Sequence, residues 1–213
     1  MEICECKGLP GMYRFEIRHK TLEKVLFSTD AENFKAAIEK AVKEGADLKS
    51  ADFKQVDLED ADLRGVDLED ADLRGADLRG ADLEDANLRS ADLRSANLED
   101  ADLRGIDLRG ADIENANLNG VDLEDANLRG ANLRDANLRS ANLRDANFED
   151  ADLCGANLRD ANLKRANLGD ADLRDVDLRG ANLKKTNLRG ADLEWARIDP
   201  SQDWPGREKG ERK

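Results

Sequence analysis

Paired carboxylates are the most frequent reactive grouping in the chain. Glu-Asp steps stand at Glu59-Asp60, Glu84-Asp85, Glu99-Asp100 and Glu124-Asp125. Two neighbouring carboxyls serve general acid–base catalysis when a pocket sets their environments apart. Here the same steps return at multiples of five residues, so they read as parts of a repeated surface. His19, the only histidine, falls at an expected hairpin turn with no nucleophile motif beside it. Cys4 and Cys6 are one residue apart, which is not a metal-ligand spacing, and no second ligand pair accompanies them. Cys154 takes an outward position where most repeats carry Arg, Lys or Glu, and reads as an exposed, idle thiol. The array also lacks the glycine-rich aspartate ladder of calcium-binding nonapeptide repeats. No catalytic residue, cofactor or metal is expected, and no enzyme.

The elements that carry these residues must come from an unusual composition. Of 213 residues, 38% are charged, 4% are aromatic, and the formal net charge is −14. Leu, Ile, Val and Phe together number 47, close to the composition at which disorder becomes the default. No apolar run approaches the ~20 residues that span a bilayer. The first ten residues have no apolar stretch of a secretory signal. An odd cysteine count without framework spacing fits a reducing cytosol. An acidic chain repels nucleic acid and suits basic partners.

Order within the sequence overturns the disorder reading. From Ala46 to Pro200 the chain is an uninterrupted five-residue repeat, Ala-(Asp/Asn)-Leu-x-x, 31 times over. The third residue is Leu except at Phe53, Ile113, Phe148 and Ile198. The first is Ala except at Val56, Val66, Ile106, Val121, Val176 and Thr186. A period of five scatters leucines around an α-helix and flips them from face to face of a flat strand. A one-sided core therefore needs a chain that turns once per repeat, and the small or turn-forming fifth residues suit that demand. Winding the chain stacks identical Leu and Ala positions into interior ladders.

The tandem Ala-(Asp/Asn)-Leu-x-x array resembles the pentapeptide repeat family. The resemblance implies an all-β fold, a right-handed quadrilateral β-helix with four repeats per coil, and hence about eight coils. First and third positions would point inward, and the other three outward. At a strand spacing of about 4.8 Å the rod would be roughly 37 Å long.

Two other segments flank the array. Residues 1–45 read as a ββα cap: a strand over Met12–His19, a second over Leu22–Ser28, and a helix N-capped by Asp30 that carries Phe34, Ile38 and Val42 and stops at Gly45. Such a cap would cover one open edge of the stack. Residues 201–213 read as a cap remnant and a disordered tail. Trp195, Ile198 and Trp204 are expected either to cover the last coil or to form a dimer contact. The resemblance supplies the second option, since end-to-end homodimers through C-terminal coils occur in the family; a monomer is the other expectation.

Charge is not spread evenly. Residues 46–125 hold 24 acids and 9 bases, whereas residues 126–200 hold 13 of each. With 20 residues per coil, most of the excess falls on two adjacent faces. Their acids include Asp57, Glu59, Asp60, Asp82, Glu84, Asp85, Glu99, Asp100, Asp122, Glu124 and Asp125. The column Arg64, Glu84, Arg104, Glu124 should form a salt-bridge ladder. A net −15 over four coils is about one charge per 1.3 Å of rod, against one per about 1.7 Å of duplex DNA.

The expected function is a non-enzymatic β-solenoid scaffold, cytoplasmic and not membrane-bound. Its acidic half would meet a basic, DNA-binding protein, and the chain would not itself bind nucleic acid. The resemblance makes this concrete: some members that confer fluoroquinolone resistance mimic duplex DNA toward gyrase or topoisomerase IV. The alternative is a structural spacer attached through its N-terminal head.

Overall fold

The computed structural model describes residues 4–5 and 11–200, so Cys6, Trp204 and the tail 201–213 lie outside the described residues. The head contains three strands, β1 (Cys4–Glu5), β2 (Tyr13–Arg18) and β3 (Val25–Ala31), followed by helix α1 (Phe34–Lys43). They form an antiparallel sheet in the order β1-β2-β3. The head thus has one strand more than the expected ββα, because the short β1 pairs Cys4 with Arg14 and Glu5 with Tyr13. At the turn after β2, the His19 ring accepts hydrogen bonds from the backbone N–H groups of Thr21 and Leu22 at 3.2 and 3.1 Å. His19 is therefore a turn-former. Leu22 lies in this turn and is exposed, so β3 starts three residues later than its expected strand.

The helix cap also moves. Asp30 stays within β3, where it faces Arg14 across the sheet and pairs with its guanidinium at 3.2 Å. Asn33 takes the cap instead, its side chain accepting from the N–H of Ala36 at 2.8 Å. Gly45 ends the helix at φ +68°, the left-handed setting that a terminating residue needs.

Residues 46–200 wind into a solenoid. Parallel bridges join second-position residues 20 apart, from Asp52↔Asp72 through to Asp177↔Arg197, so four repeats make one coil. Third-position N–H groups from Phe53 to Leu178 donate to the coil that follows, as Leu73 does to Asp92 at 2.7 Å. Each corner closes on itself, as when Ala76 N–H donates to Leu73 at 3.0 Å. Every fifth residue from Ser50 to Trp195 has φ between 53° and 76°. This is what a type II-like corner requires, and it explains why Gly, Asp, Ser and Asn dominate there. Arg165, Lys185 and Trp195 hold the same setting at a cost of roughly 1 kcal/mol each.

The interior follows the repeat. First- and third-position residues from Leu48 to Leu183 are buried and form one continuous core with Ile17, Ile38 and Ala41 of the head. Leu188, Ala191, Leu193, Ala196 and Ile198 pack on that core but are only partly covered, because they lie in the final coils. Trp195 stands at the last corner, 76% exposed.

The head closes the first coil in two ways. Backbone pairing continues from β2 into the solenoid, with Asp52 N–H donating to Arg18 at 2.8 Å and Lys20 N–H donating to Ser50 at 2.7 Å. An aromatic chain then runs from Phe15 to Phe34 and on to Phe53, with centroids 5.8 and 6.3 Å apart. Phe53 thus departs from Leu where the core must meet the cap helix. Phe34→Ala is expected to cost about 2–3 kcal/mol, since a half-buried aromatic loses contacts on both sides. Urea unfolding should show the loss, with fraying that starts at the N-terminal coils by hydrogen exchange.

Candidate acidic interaction site

The bridge register fixes which side chains share a face. Repeats beginning at Val56, Ala76, Ala96 and Ala116 stack as one face, and those beginning at Ala61, Ala81, Ala101 and Val121 as the next. These eight repeats carry net charges of −5 and −6. All eleven candidate acids therefore occupy two adjoining faces and the corners that bound them.

Within this set the acids differ. Glu59 is bridged by Arg79 at 2.9 Å, Asp82 by Arg64 at 3.5 Å and Glu84 by Arg104 at 3.4 Å, and Glu124 is paired with Arg144. Asp57 accepts from the N–H of Glu59 at 3.1 Å. Asp122 accepts from Asn142 at 2.9 Å, and Glu99 from Asn119 at 3.2 Å. The corner aspartates Asp60, Asp85, Asp100 and Asp125 are exposed and make no ion pair or side-chain hydrogen bond among the described residues. They rise in a zigzag, one per coil, alternating between the two corners that bound the second face. Glycine sets the alternation: a Cβ on Gly80, Gly105 or Gly120 would run into the carboxylate of Asp60, Asp85 or Asp100 one coil earlier.

The expected ladder along Arg64, Glu84, Arg104 and Glu124 is interrupted. Arg104 does reach Glu84, but Arg64 stays on Asp62 at 2.6 Å and Asp82, and Glu124 pairs with Arg144 of the following coil. The cause is a closer partner within the repeat. In Asp-Leu-Arg repeats the guanidinium folds onto the aspartate two residues earlier with two parallel bonds. Arg104 does so on Asp102 at 2.8 and 2.6 Å, and Arg109 on Asp107 at 2.8 and 2.5 Å. Sequence reasoning missed this fork, although the recurring Asp-Leu-Arg triplet was visible. Where the second residue is Asn, amides stack instead: Asn137 donates to Asn117 at 3.0 Å, and Asn157 to Asn137 at 3.1 Å.

The forks carry a pH signature. A guanidinium bonded to Asp62, Asp77, Asp102, Asp107, Asp172 and Asp177 holds each carboxyl below the usual carboxylate range. The unfolded chain then takes up these protons first as pH falls, so the stabilisation is present above the ordinary aspartate range of about 4 and is lost below it. Melting should occur at lower temperature at pH 3 than at pH 6 when followed by circular dichroism. Exposed pairs contribute little each, so the effect comes from their number.

A cleft of about 510 Å³ lies between the start of α1 and the first coils, lined by Phe34, Lys35, Val56, Asp57, Glu59 and Asp60 among others. A filled rod alone offers no such opening; it arises where the head meets the coil. Asp57, Glu59 and Asp77 bring one oxygen each within 4.8 Å of one another, but Arg79 bonds both Glu59 and Asp77 there at 2.9 and 2.6 Å. A guanidinium already occupies two of the three carboxylates of that cluster. Among the candidate end residues, Ile198 packs on the core and Trp195 projects outward, while Trp204 lies outside the described residues. No helix among the described residues is long and apolar enough to cross a membrane.

Known proteins place the repeats in context. A family model described as pentapeptide repeats matches residues 44–80, 71–110, 86–125, 106–145, 122–160 and 156–194. The chain is similar to HetL, a pentapeptide repeat protein involved in heterocyst differentiation regulation in the cyanobacterium Nostoc sp. strain PCC 7120, with 34% identity over 71% of this chain and 82% of that one, at a TM-score of 0.37. It is similar to a pentapeptide repeat protein of the Arabidopsis thaliana thylakoid lumen, with 35% identity over 46% of this chain and 69% of that one, at a TM-score of 0.46. It shares its fold with a trypsin-treated variant of QnrB1, a plasmid-mediated fluoroquinolone resistance protein, with 22% identity over 70% of this chain and 77% of that one, at a TM-score of 0.54. No curated protein matches the chain.

Proposed function

Because the chain belongs to the pentapeptide repeat family, we propose that it is a non-enzymatic binding scaffold whose acidic N-terminal half occupies the DNA-binding surface of a basic protein, such as gyrase or topoisomerase IV. The observation that carries this reading is the zigzag of unpaired corner aspartates Asp60, Asp85, Asp100 and Asp125. The pattern gives two parallel lines of negative charge on a stiff rod. Each line repeats every second coil, about 9.6 Å, and the Glu-Asp steps beside it add a second carboxylate per coil. A basic groove shaped for duplex phosphates meets comparable charge density here without bases to read.

Rigidity favours the same reading. The acidic groups sit on a backbone bonded coil to coil, so little ordering is needed on binding. QnrB1, which shares this fold, is a fluoroquinolone resistance protein, and that property supports a topoisomerase as the partner class. The reading keeps nucleic acid itself out of the site, since like charges repel. A cytoplasmic location goes with such a partner.

The test is a gyrase supercoiling assay with and without the chain and with ciprofloxacin. Inhibition of supercoiling, or relief of the drug, at micromolar chain supports the reading. No effect at that concentration would remove topoisomerases as partners. The spacer reading would gain if pull-down retained partners only through residues 1–45, because the head is joined to the first coil by backbone pairing through Arg18 and Lys20.

A further inference from the structure

The second acidic face continues beyond its acids. Bridges stack seven repeats on it, beginning at Ala61, Ala81, Ala101, Val121, Ala141, Ala161 and Ala181. The first four carry net −6, the fifth is neutral, and the last two carry +4. The positive end consists of Lys164, Arg165, Lys184 and Lys185. Arg165 bonds Asp145 at 2.6 Å, whereas Lys164, Lys184 and Lys185 make no ion pair among the described residues. Arg165 and Lys185 occupy corners at φ 64° each, where most corners have Gly, Asp, Ser or Asn. Long cations are thus set twice, one coil apart, at positions that core packing does not require and the backbone disfavours. One flat face of the rod therefore has a negative half and a positive half.

We propose that this face is a self-complementary surface that docks a second copy of the chain side by side and antiparallel, about a twofold axis crossing it between Val121 and Asp145. In that arrangement Lys184 and Lys185 of one copy lie opposite Glu84 and Asp85 of the other, and Lys164 and Arg165 lie opposite Glu124 and Asp125. The offsets needed to satisfy both sets differ by one coil or less, about 4.8 Å, which lysine side chains span. The twofold operator repeats each contact, so a dimer gains both sets. A parallel arrangement would put acid on acid and base on base.

The surface is about 34 Å long but only one repeat wide, smaller than the ~800 Å² per partner of a stable interface. Its association is weak and governed by charge. The net −14 of each chain opposes approach at very low salt. Attraction is therefore expected near 0.1 M salt, where a screening length of about 10 Å mutes the distant repulsion but spares close pairs. The dimer would cover Glu84, Asp85, Glu124 and Asp125, and so compete with any basic partner for them. The inference stands independently of which partner that is.

Sedimentation velocity of the full chain at about 100 μM, in about 0.1 M and 0.5 M NaCl, tests it. The average mass should exceed that of the 23.5 kDa monomer at the lower salt and return to it at the higher. Combined Lys164→Glu, Lys184→Glu and Lys185→Glu should weaken association at least tenfold. Mixing that variant with a Glu84→Lys/Glu124→Lys chain should restore it. A monomer at both salts would overturn the proposal, as would a dimer indifferent to salt and to lysine reversal. The salt series decides alone if a variant fails to fold.

Discussion

Leu103→Asp is expected to abolish folding of the rod as one cooperative unit. Leu103 is 0% exposed and lies mid-array, with coils on both sides. Losing the leucine removes about 2 kcal/mol of burial, and an unpartnered carboxyl in the core costs several more. The position cannot bulge outward, because its N–H donates to Asp122 at 2.7 Å and its carbonyl closes the corner with Ile106. Each coil of a solenoid is stabilised chiefly by its neighbours, so a fault in the middle divides the stack into shorter pieces. Circular dichroism should show a broad melt or none. Leu188→Asp, at a partly covered position near the end, should lower the melting temperature by far less. A Leu103→Asp chain that melted like its parent would refute the inward assignment.

Charge reversal at four acids should separate binding from stability. In a chain with Glu84→Lys, Asp85→Lys, Glu124→Lys and Asp125→Lys, the second acidic face becomes positive where a basic groove would meet it. Like-charge contacts across an interface cost several kcal/mol, so the chain concentration needed to affect gyrase should rise by at least about a hundredfold, or ~3 kcal/mol. Melting should shift by only a few degrees. Glu84 and Glu124 lose surface pairs with Arg104 and Arg144 that contribute little. The corners at 85 and 125 tolerate long cations, as Arg165 and Lys185 show at φ 64° in the same column. Unchanged potency of this variant would exclude the acidic face as the contact. Its potency should also be compared at two salt concentrations, because a charge-driven complex weakens steeply as salt rises.

Much of the fold was legible because the repeat is strict. The burial of first- and third-position residues followed from the period of five, which admits a one-sided core only if the chain turns every repeat. The stop at Gly45 followed from its freedom to adopt positive φ. The head was less legible. Strand β1 is two residues long and carries no alternation to read. Asp30 and Asn33 are both good helix caps; the choice fell to Asn33 because Asp30 is held in the sheet opposite Arg14. The cleft beside Phe34 belongs to neither segment and exists only where they meet.

For the acidic site, the sequence determined which residues share a face once 20 residues made a coil, since stacking follows from the period alone. What it did not determine is how each charge is used. A fourth-position arginine has an aspartate or an asparagine two residues earlier, and the side chains of the adjoining coils within reach. The tertiary structure decided between them: the guanidinium forks onto the aspartate of its own repeat where there is one, whereas Arg129, Arg134, Arg139 and Arg144, which follow Asn, reach acids of another coil. That preference is a matter of distance and of the planar fit of two parallel bonds, neither of which is written in residue order. It leaves Asp60, Asp85, Asp100 and Asp125 without bonded partners among the described residues, and it is on these four corner carboxylates, rather than on the net −14, that the proposed function rests.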